Sequence, residues 1–173
     1  MAIIGVTGHH GFVGSHLWLA LGRVEGTQLR GIDFREHDLS VPGPAIDSFV
    51  ADLDVVFHLA GANRPKTPAD FVTGNVDTTR NLLDAIERSG ANPLVIYAST
   101  IHAELDNDYG RSKMAAEQLL EERADRLGLP LVILRIANVF GAGCRPFYNS
   151  VVATFCHQVA LGEEPQVLND AEL

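Results

Sequence analysis

Residues 4 to 14 read IGVTGHHGFVG. An apolar run, AIIGV (2–6), leads directly into Thr7-Gly8-x-x-Gly11-x-x-Gly14, and an amphipathic stretch, GFVGSHLWLALGRV, follows without a break. Strand, glycine turn and helix in immediate succession permit few folds. A glycine makes the turn, a second lets a phosphate approach the backbone, and a third lets helix and strand pack closely. The helix then presents free N–H groups and a partial positive charge to an anion. Thr7, Gly8, Gly11, Phe12, Val13 and Gly14 are therefore expected to line a dinucleotide's pyrophosphate site.

The remaining chain repeats the same alternation. QLRGID (28–33), DVVFHLAG (54–61), PLVIYAST (93–100) and PLVILRIA (130–137) are short apolar runs. PADFVTGNVDTTRNLLDAIERSG (68–90), GRSKMAAEQLLEERADRLG (110–128) and YNSVVATFCHQVALG (148–162) are longer and amphipathic, two of them closed by Gly90 and Gly128. Nearly continuous Val/Ile/Leu strands between helices predict a parallel sheet covered on both faces. The expected fold class is α/β, doubly wound and Rossmann-like, with right-handed crossovers. REHDLSVPGPA (35–45) reads as a short strand and turn.

At 173 residues, the chain is long enough for one domain with a real core. Hydrophobic residues make up 46% and charged residues 20%, which excludes a disordered chain. The formal net charge of −9 argues against nucleic-acid and anionic-membrane partners. No apolar run reaches a membrane span, and the start lacks a basic leader region, so a cytoplasmic location is expected. Cys144 and Cys156 stand at no ligand or redox spacing, and no base is placed to make either a nucleophile. His9 and His10 are adjacent, but no carboxylate or cysteine lies at a recognised ligand spacing from them, so no metal is expected.

Asp33 ends the second strand nineteen residues after Gly14. An acid there accepts hydrogen bonds from the ribose of NAD and repels a 2′-phosphate. Arg35, two residues on, would attract that phosphate. The two leave NAD and NADP both open. Asp38 and Leu39 are placed to flank an adenine ring. Tyr109 and Lys113 are one helical turn apart and share a face. That spacing alone describes a solvated surface pair as well as a catalytic one.

Taken in order, these segments resemble the extended short-chain dehydrogenase/reductases. T-G-x-x-G-x-x-G is that group's glycine pattern, DVVFHLAG resembles the strand whose end, here Leu59, Ala60 and Gly61, lies against the cofactor, and GNVDTTRNLLDA carries Asn75 at its structural asparagine. YAST places Thr100 at the catalytic Ser/Thr position, and YGRSK is the Y-x-x-x-K motif. LRIANVFG carries Asn138 where such enzymes often bind a nucleotide sugar. GANRP (61–65), TIHAELDNDYGRSK (100–113) and NVFGAGCRPFYNSVVATFCHQVALGEEPQVLND (138–170) resemble the narrower capsular-polysaccharide reductase family called CapF.

The resemblance implies an NADPH- or NADH-dependent reduction of a UDP-4-keto-6-deoxy-N-acetyl-hexose, in polysaccharide biosynthesis of the UDP-fucosamine type. Tyr109 would donate the proton, Lys113 would lower its pKa and hold the nicotinamide ribose, and Thr100 would fix the carbonyl oxygen. His102, Asn138, Arg145 and Asn149 would contact substrate. Ile101-His102 replaces the Asp-Glu that follows the threonine in related 4,6-dehydratases, which disfavours elimination of water. A nucleotide-sugar 4-epimerase, using the same three residues and a retained NAD, is an alternative. So is a cofactor-binding fragment without full activity. The family also implies a homodimer through its two long helices. Its C-terminal part, including a zinc-containing cupin domain, is expected to be missing after Leu173, which leaves the dinucleotide-binding domain at 1–173 incomplete.

Overall fold

The computed structural model of the protein describes residues 1–165. The last residues of the CapF-like stretch 138–170 lie outside them. The chain divides into two compact units, Met1–Arg135 and Ile136–Leu173.

The sheet is built from β1 (Ala2–Thr7), β2 (Thr27–Ile32), β3 (Val55–His58), β4 (Leu94–Thr100) and β5 (Leu131–Ile136), in the spatial order β2-β1-β3-β4-β5. β1 pairs in parallel with both β2 and β3, and β3 pairs in parallel with β4. The chain leaves β1 toward one edge and returns on its other side. This reversal opens a crevice at the carboxyl ends of β1 and β3, where Thr7 and His58 stand opposite each other. The expected fold class is therefore the one observed.

Between the strands run α1 (Phe12–Leu21), α2 (Pro44–Val50), α3 (Ala69–Phe71), α4 (Thr78–Ser89) and α5 (Asp108–Leu127). Phe49 and Val50 from α2, Leu82, Leu83 and Ile86 from α4, and Ala116 and Leu120 from α5 form one buried cluster with Val56 and Val95 of the sheet. Burial of each Val, Leu, Ile or Phe side chain among these contributes roughly 1.5–3 kcal/mol. In the second unit, α6 (Val151–Ala160) begins at Ser150, whose side chain accepts from the Ala153 amide.

Two local expectations are corrected. The 35–45 stretch contains turns and the start of α2, not a strand. Asp38 closes its own turn by accepting from the amide and hydroxyl of Ser40. Pro44 then occupies a first-turn position of α2, where its missing N–H costs nothing. The helix expected to run unbroken over 68–90 also changes character, with a π-helical turn over Val72–Asp77. The wider turn accompanies a close approach to the loop after β3, since a Cβ on Gly74 would lie 2.5 Å from that of Ala62. Among the described residues, no helix is long and apolar enough to cross a membrane.

Candidate active site

The glycine turn has the form its sequence predicted. Gly8 has φ +72°, and a Cβ there would come within 2.8 Å of the Ala60 amide nitrogen. A Cβ on Gly14 would sit 2.1 Å from the Gly8 carbonyl oxygen, so only glycine lets α1 start this close beneath the turn. Gly11 donates its amide to Gly8 O at 2.9 Å and precedes α1 as its N-cap. Phe12 and Val13 occupy the first turn and are half-buried. These glycines leave a cradle that side chains would fill, which fits a pyrophosphate group.

Thr7 differs from its expected role. Its hydroxyl oxygen accepts from the amides of Leu59 and Ala60, each at 3.1 Å, and lies 2.8 Å from Nδ1 of His58. Thr7 is 1% exposed, so it ties the ends of β1 and β3 together and presents no hydroxyl to a ligand. With two amides already donating to it, its own proton goes to His58 Nδ1. His58 Nε2 then donates to Thr79 Oγ1 at 3.0 Å. Burial, helped by the Lys113 charge, pushes the His58 pKa down to about 3 and keeps it neutral.

Asp33 is 7% exposed and braces the turn. Its carboxylate accepts from the amides of Arg35 at 3.0 Å and His10 at 3.3 Å. Arg35 and Asp38 are exposed. Leu39 is corrected: its side chain is 4% exposed and belongs to the core cluster, so it does not flank a ring in the crevice. Leu59 is half-buried, Ala60 is buried, and Gly61 is exposed at the end of β3. A Cβ on Gly61 would lie 2.7 Å from Oδ1 of Asn75.

Thr100, Tyr109 and Lys113 are brought together. Thr100 ends β4, and its hydroxyl accepts from the His102 amide at 3.2 Å, opening a tight 3₁₀ turn over Ile101–Glu104. Asn107 caps α5 by accepting from the Gly110 amide at 2.8 Å. A Cβ on Gly110 would lie 2.7 Å from the His102 carbonyl oxygen, so this glycine lets α5 press on the 3₁₀ turn. The Tyr109 phenol consequently comes within reach of Thr100, whose hydroxyl favours the phenolate. Burial opposes this more strongly and raises the Tyr109 pKa. The expected lowering of that pKa by Lys113 is not observed.

Lys113 instead turns inward. Its ammonium donates to the Ala98 carbonyl at 2.7 Å and lies 4.2 Å from the centroid of the Tyr97 ring. Burial lowers its pKa from 10.5 to about 7, while the Glu117 carboxylate one turn further along α5 raises it. Glu117 is itself 3% exposed, accepts from Ser99 and takes three contacts from the Arg135 guanidinium.

Asn75, on the π turn, joins the two halves of this site. Its amide exchanges two hydrogen bonds with the backbone of Ala62 and donates to Ser112 Oγ at 2.9 Å. Ser112 in turn donates to the Tyr109 carbonyl at 2.8 Å. The positions of His58, Ser99, Glu117 and Arg135 escaped the sequence reading. Two signals were available: a histidine inside the apolar run DVVFHLAG, and a glutamate four residues after Lys113. His102 is half-buried beside this site. Asn138, Arg145 and Asn149 belong to the second unit and are exposed, with the Arg145 guanidinium 5.4 Å from the Tyr148 ring centroid.

Comparison with known proteins follows the same lines. The chain is 40% identical over 167 residues to UDP-2-acetamido-2,6-beta-L-arabino-hexul-4-ose reductase of Pseudomonas aeruginosa, covering 96% of this chain and 43% of that protein. Its structure matches the capsular polysaccharide assembling protein CapF of Staphylococcus aureus with TM-score 0.79 and 38% identity, over 100% of this chain and 45% of that one. It also matches RMD of Pseudomonas aeruginosa, solved with NADPH, with TM-score 0.76 and 27% identity over 92% of this chain and 60% of that one. The chain thus spans less than half the length of the first two relatives. Residues 4–172 match a single family description. On this match, the chain belongs to the NAD dependent epimerase/dehydratase family.

Proposed function

We propose that the protein is the dinucleotide-binding and catalytic part of an NAD(P)H-dependent reductase acting on a UDP-4-keto-6-deoxy-N-acetyl-hexose in surface-polysaccharide biosynthesis. The observation that carries this reading is the placement of Tyr109 beside Thr100, with Lys113 one turn away. The relative of Pseudomonas aeruginosa, named as a UDP-hexulose reductase, supports the substrate class. The bound cofactor supplies a hydride. Gly8, Gly11, Phe12, Val13 and Gly14 would hold its pyrophosphate, and Lys113 has two further ammonium protons for a ribose hydroxyl.

Tyr109 acts as the acid. Its pKa is raised by burial, so the phenol carries its proton at neutral pH. As the sugar C=O bond becomes a C–O single bond, the phenolic O–H breaks and the proton passes to the carbonyl oxygen. Thr100 donates to the same oxygen and fixes its place. Once that oxygen has taken the phenolic proton, the Thr100 hydroxyl turns its single proton to the phenolate left behind. His102, beside Thr100, is assigned a substrate contact, and Asn138, Arg145 and Asn149 of the second unit carry the same role by family resemblance alone. NADPH is the favoured cofactor, because Arg35 is exposed whereas the Asp33 carboxylate is held by backbone amides.

A cytoplasmic homodimer using α4 and α5 completes the proposal. The test is to mix the purified protein with NADPH and the 4-ketosugar and follow cofactor oxidation. One NADPH consumed per sugar reduced supports the reductase. Sugar interconversion with no net cofactor change would identify a 4-epimerase instead.

A further inference from the structure

Three side chains from two separate loops converge beside the glycine turn. One ring nitrogen each of His9 and His10 and a carboxylate oxygen of Glu36 lie within 4.8 Å of one another. His10 Nε2 and Glu36 Oε1 are 3.3 Å apart. That separation is a hydrogen bond between the two groups; two ligand atoms on a tetrahedral ion with bonds of about 2.0–2.1 Å also stand about 3.3 Å apart, so an ion would replace the shared proton without moving either group.

The three arms are held from behind. The His9 ring packs on the backbone of Gly31, where a Cβ would come within 2.7 Å of its Nδ1. It also stacks between His10, at 4.0 Å, and Trp18, at 5.0 Å. His9 Nδ1 is buried and has no hydrogen-bond partner among the described residues. Asp33 braces the other two arms, accepting from the His10 amide at 3.3 Å through its carboxylate and from the Glu36 amide at 3.0 Å through its carbonyl. The sequence hid this arrangement because Glu36 is far from the histidines along the chain and reaches them only through the β1–β2 pairing.

We propose that His9, His10 and Glu36 form a binding site for a divalent ion of the zinc class, with water completing its coordination. Two neutral imidazoles and one carboxylate suit Zn²⁺, Co²⁺ or Ni²⁺, whereas Mg²⁺ and Ca²⁺ prefer oxygen alone. The positive end of the α1 dipole opposes a cation here. The charges of Glu36 and the neighbouring Asp33 offset it. Because His9 and His10 lie inside the turn assigned to the pyrophosphate, the ion and the dinucleotide exclude each other. This second consequence rests on the proposed cofactor reading; the metal site does not.

The test is a calorimetric titration of the whole chain with Zn²⁺, paired with the visible spectrum of bound Co²⁺. The expected result is one equivalent of zinc and a cobalt spectrum of nitrogen and oxygen ligands. His10→Ala and Glu36→Gln should each weaken binding by at least about tenfold. Both residues are exposed, so neither change threatens the fold. A Cys144→Ser/Cys156→Ser variant should bind as the parent does. No zinc binding, or binding that both single substitutions leave unchanged, overturns the site. In NADH fluorescence titrations, zinc should weaken binding to the parent but not to Glu36→Gln. A parent that binds NADH equally with and without zinc overturns the exclusion. NADH binding to neither protein, with zinc still bound, counts against the cofactor reading alone.

Discussion

Lys113 donates its ammonium to the carbonyl oxygen of Ala98 at 2.7 Å, one residue before Ser99 hands a hydrogen bond to Glu117. The lysine is thus anchored to the end of β4 that also carries Thr100. The Glu117 carboxylate, one turn along α5, supports the Lys113 charge against burial. This arrangement makes Lys113 a buried amine with a fixed position, and it can be tested through the stability of the fold.

Burial lowers the Lys113 pKa from 10.5 to about 7. Between these values the unfolded chain binds the proton and the folded chain releases it. Folding stability from this group therefore rises as pH increases through that window, and the cost of burying the charge is full below about 7. Denaturant unfolding at several pH values should show this rise in the parent. Lys113→Met should remove it, and a variant with an unchanged slope would mean that Lys113 is not buried as a cation.

His58 has the same sign in a lower window. Its pKa falls from 6.5 to about 3, so stability is lost as pH drops below 6.5, where only the unfolded chain takes up the proton. His58→Gln should flatten stability between pH 6.5 and about 5, above most carboxylate titration. A nuclear magnetic resonance titration should find the His58 ring still neutral there.

Glu117→Gln should destabilise the fold by roughly 2 kcal/mol, less than a fully buried pair would lose, because the Arg135 side chain is 39% exposed. It should also move the Lys113-dependent rise in stability to lower pH. A merely structural role for Glu117 would change stability without moving that pH dependence.

Arg35→Ala should weaken NADPH binding by about tenfold and leave NADH binding nearly unchanged, in line with the loss of one charge-assisted phosphate contact. Asp33→Ala should weaken both, because its carboxylate holds the amides of His10 and Arg35. Fluorescence titration with each cofactor separates the two outcomes.

The sheet, the order of its elements and the glycine turn were legible because their signals are local. Apolar runs, glycine spacing and the stops at Gly90 and Gly128 lie within short windows. That Tyr109 and Lys113 share one helix was legible for the same reason. Thr7 and Leu39 were assigned to the cofactor because they stand at the right distance along the chain, yet both face the interior. Sequence spacing fixes position along a strand but not where a hydroxyl finds its partners. The α2 helix was missed because Pro42, Gly43 and Pro44 read as breakers, although a proline at a helix start is favourable. The neighbours of Lys113 come from three elements, β3, β4 and α5, and no single window contains them.

The most direct test of the central claim is a single-turnover reaction of NADPH with the UDP-4-ketosugar, comparing the parent with Tyr109→Phe. The account predicts cofactor oxidation matched to sugar reduction in the parent. In Tyr109→Phe the rate should fall by about 10²–10⁴-fold while NADPH binding is kept. Undiminished turnover in Tyr109→Phe, or NADPH bound by the parent but never oxidised by the ketosugar, would contradict it.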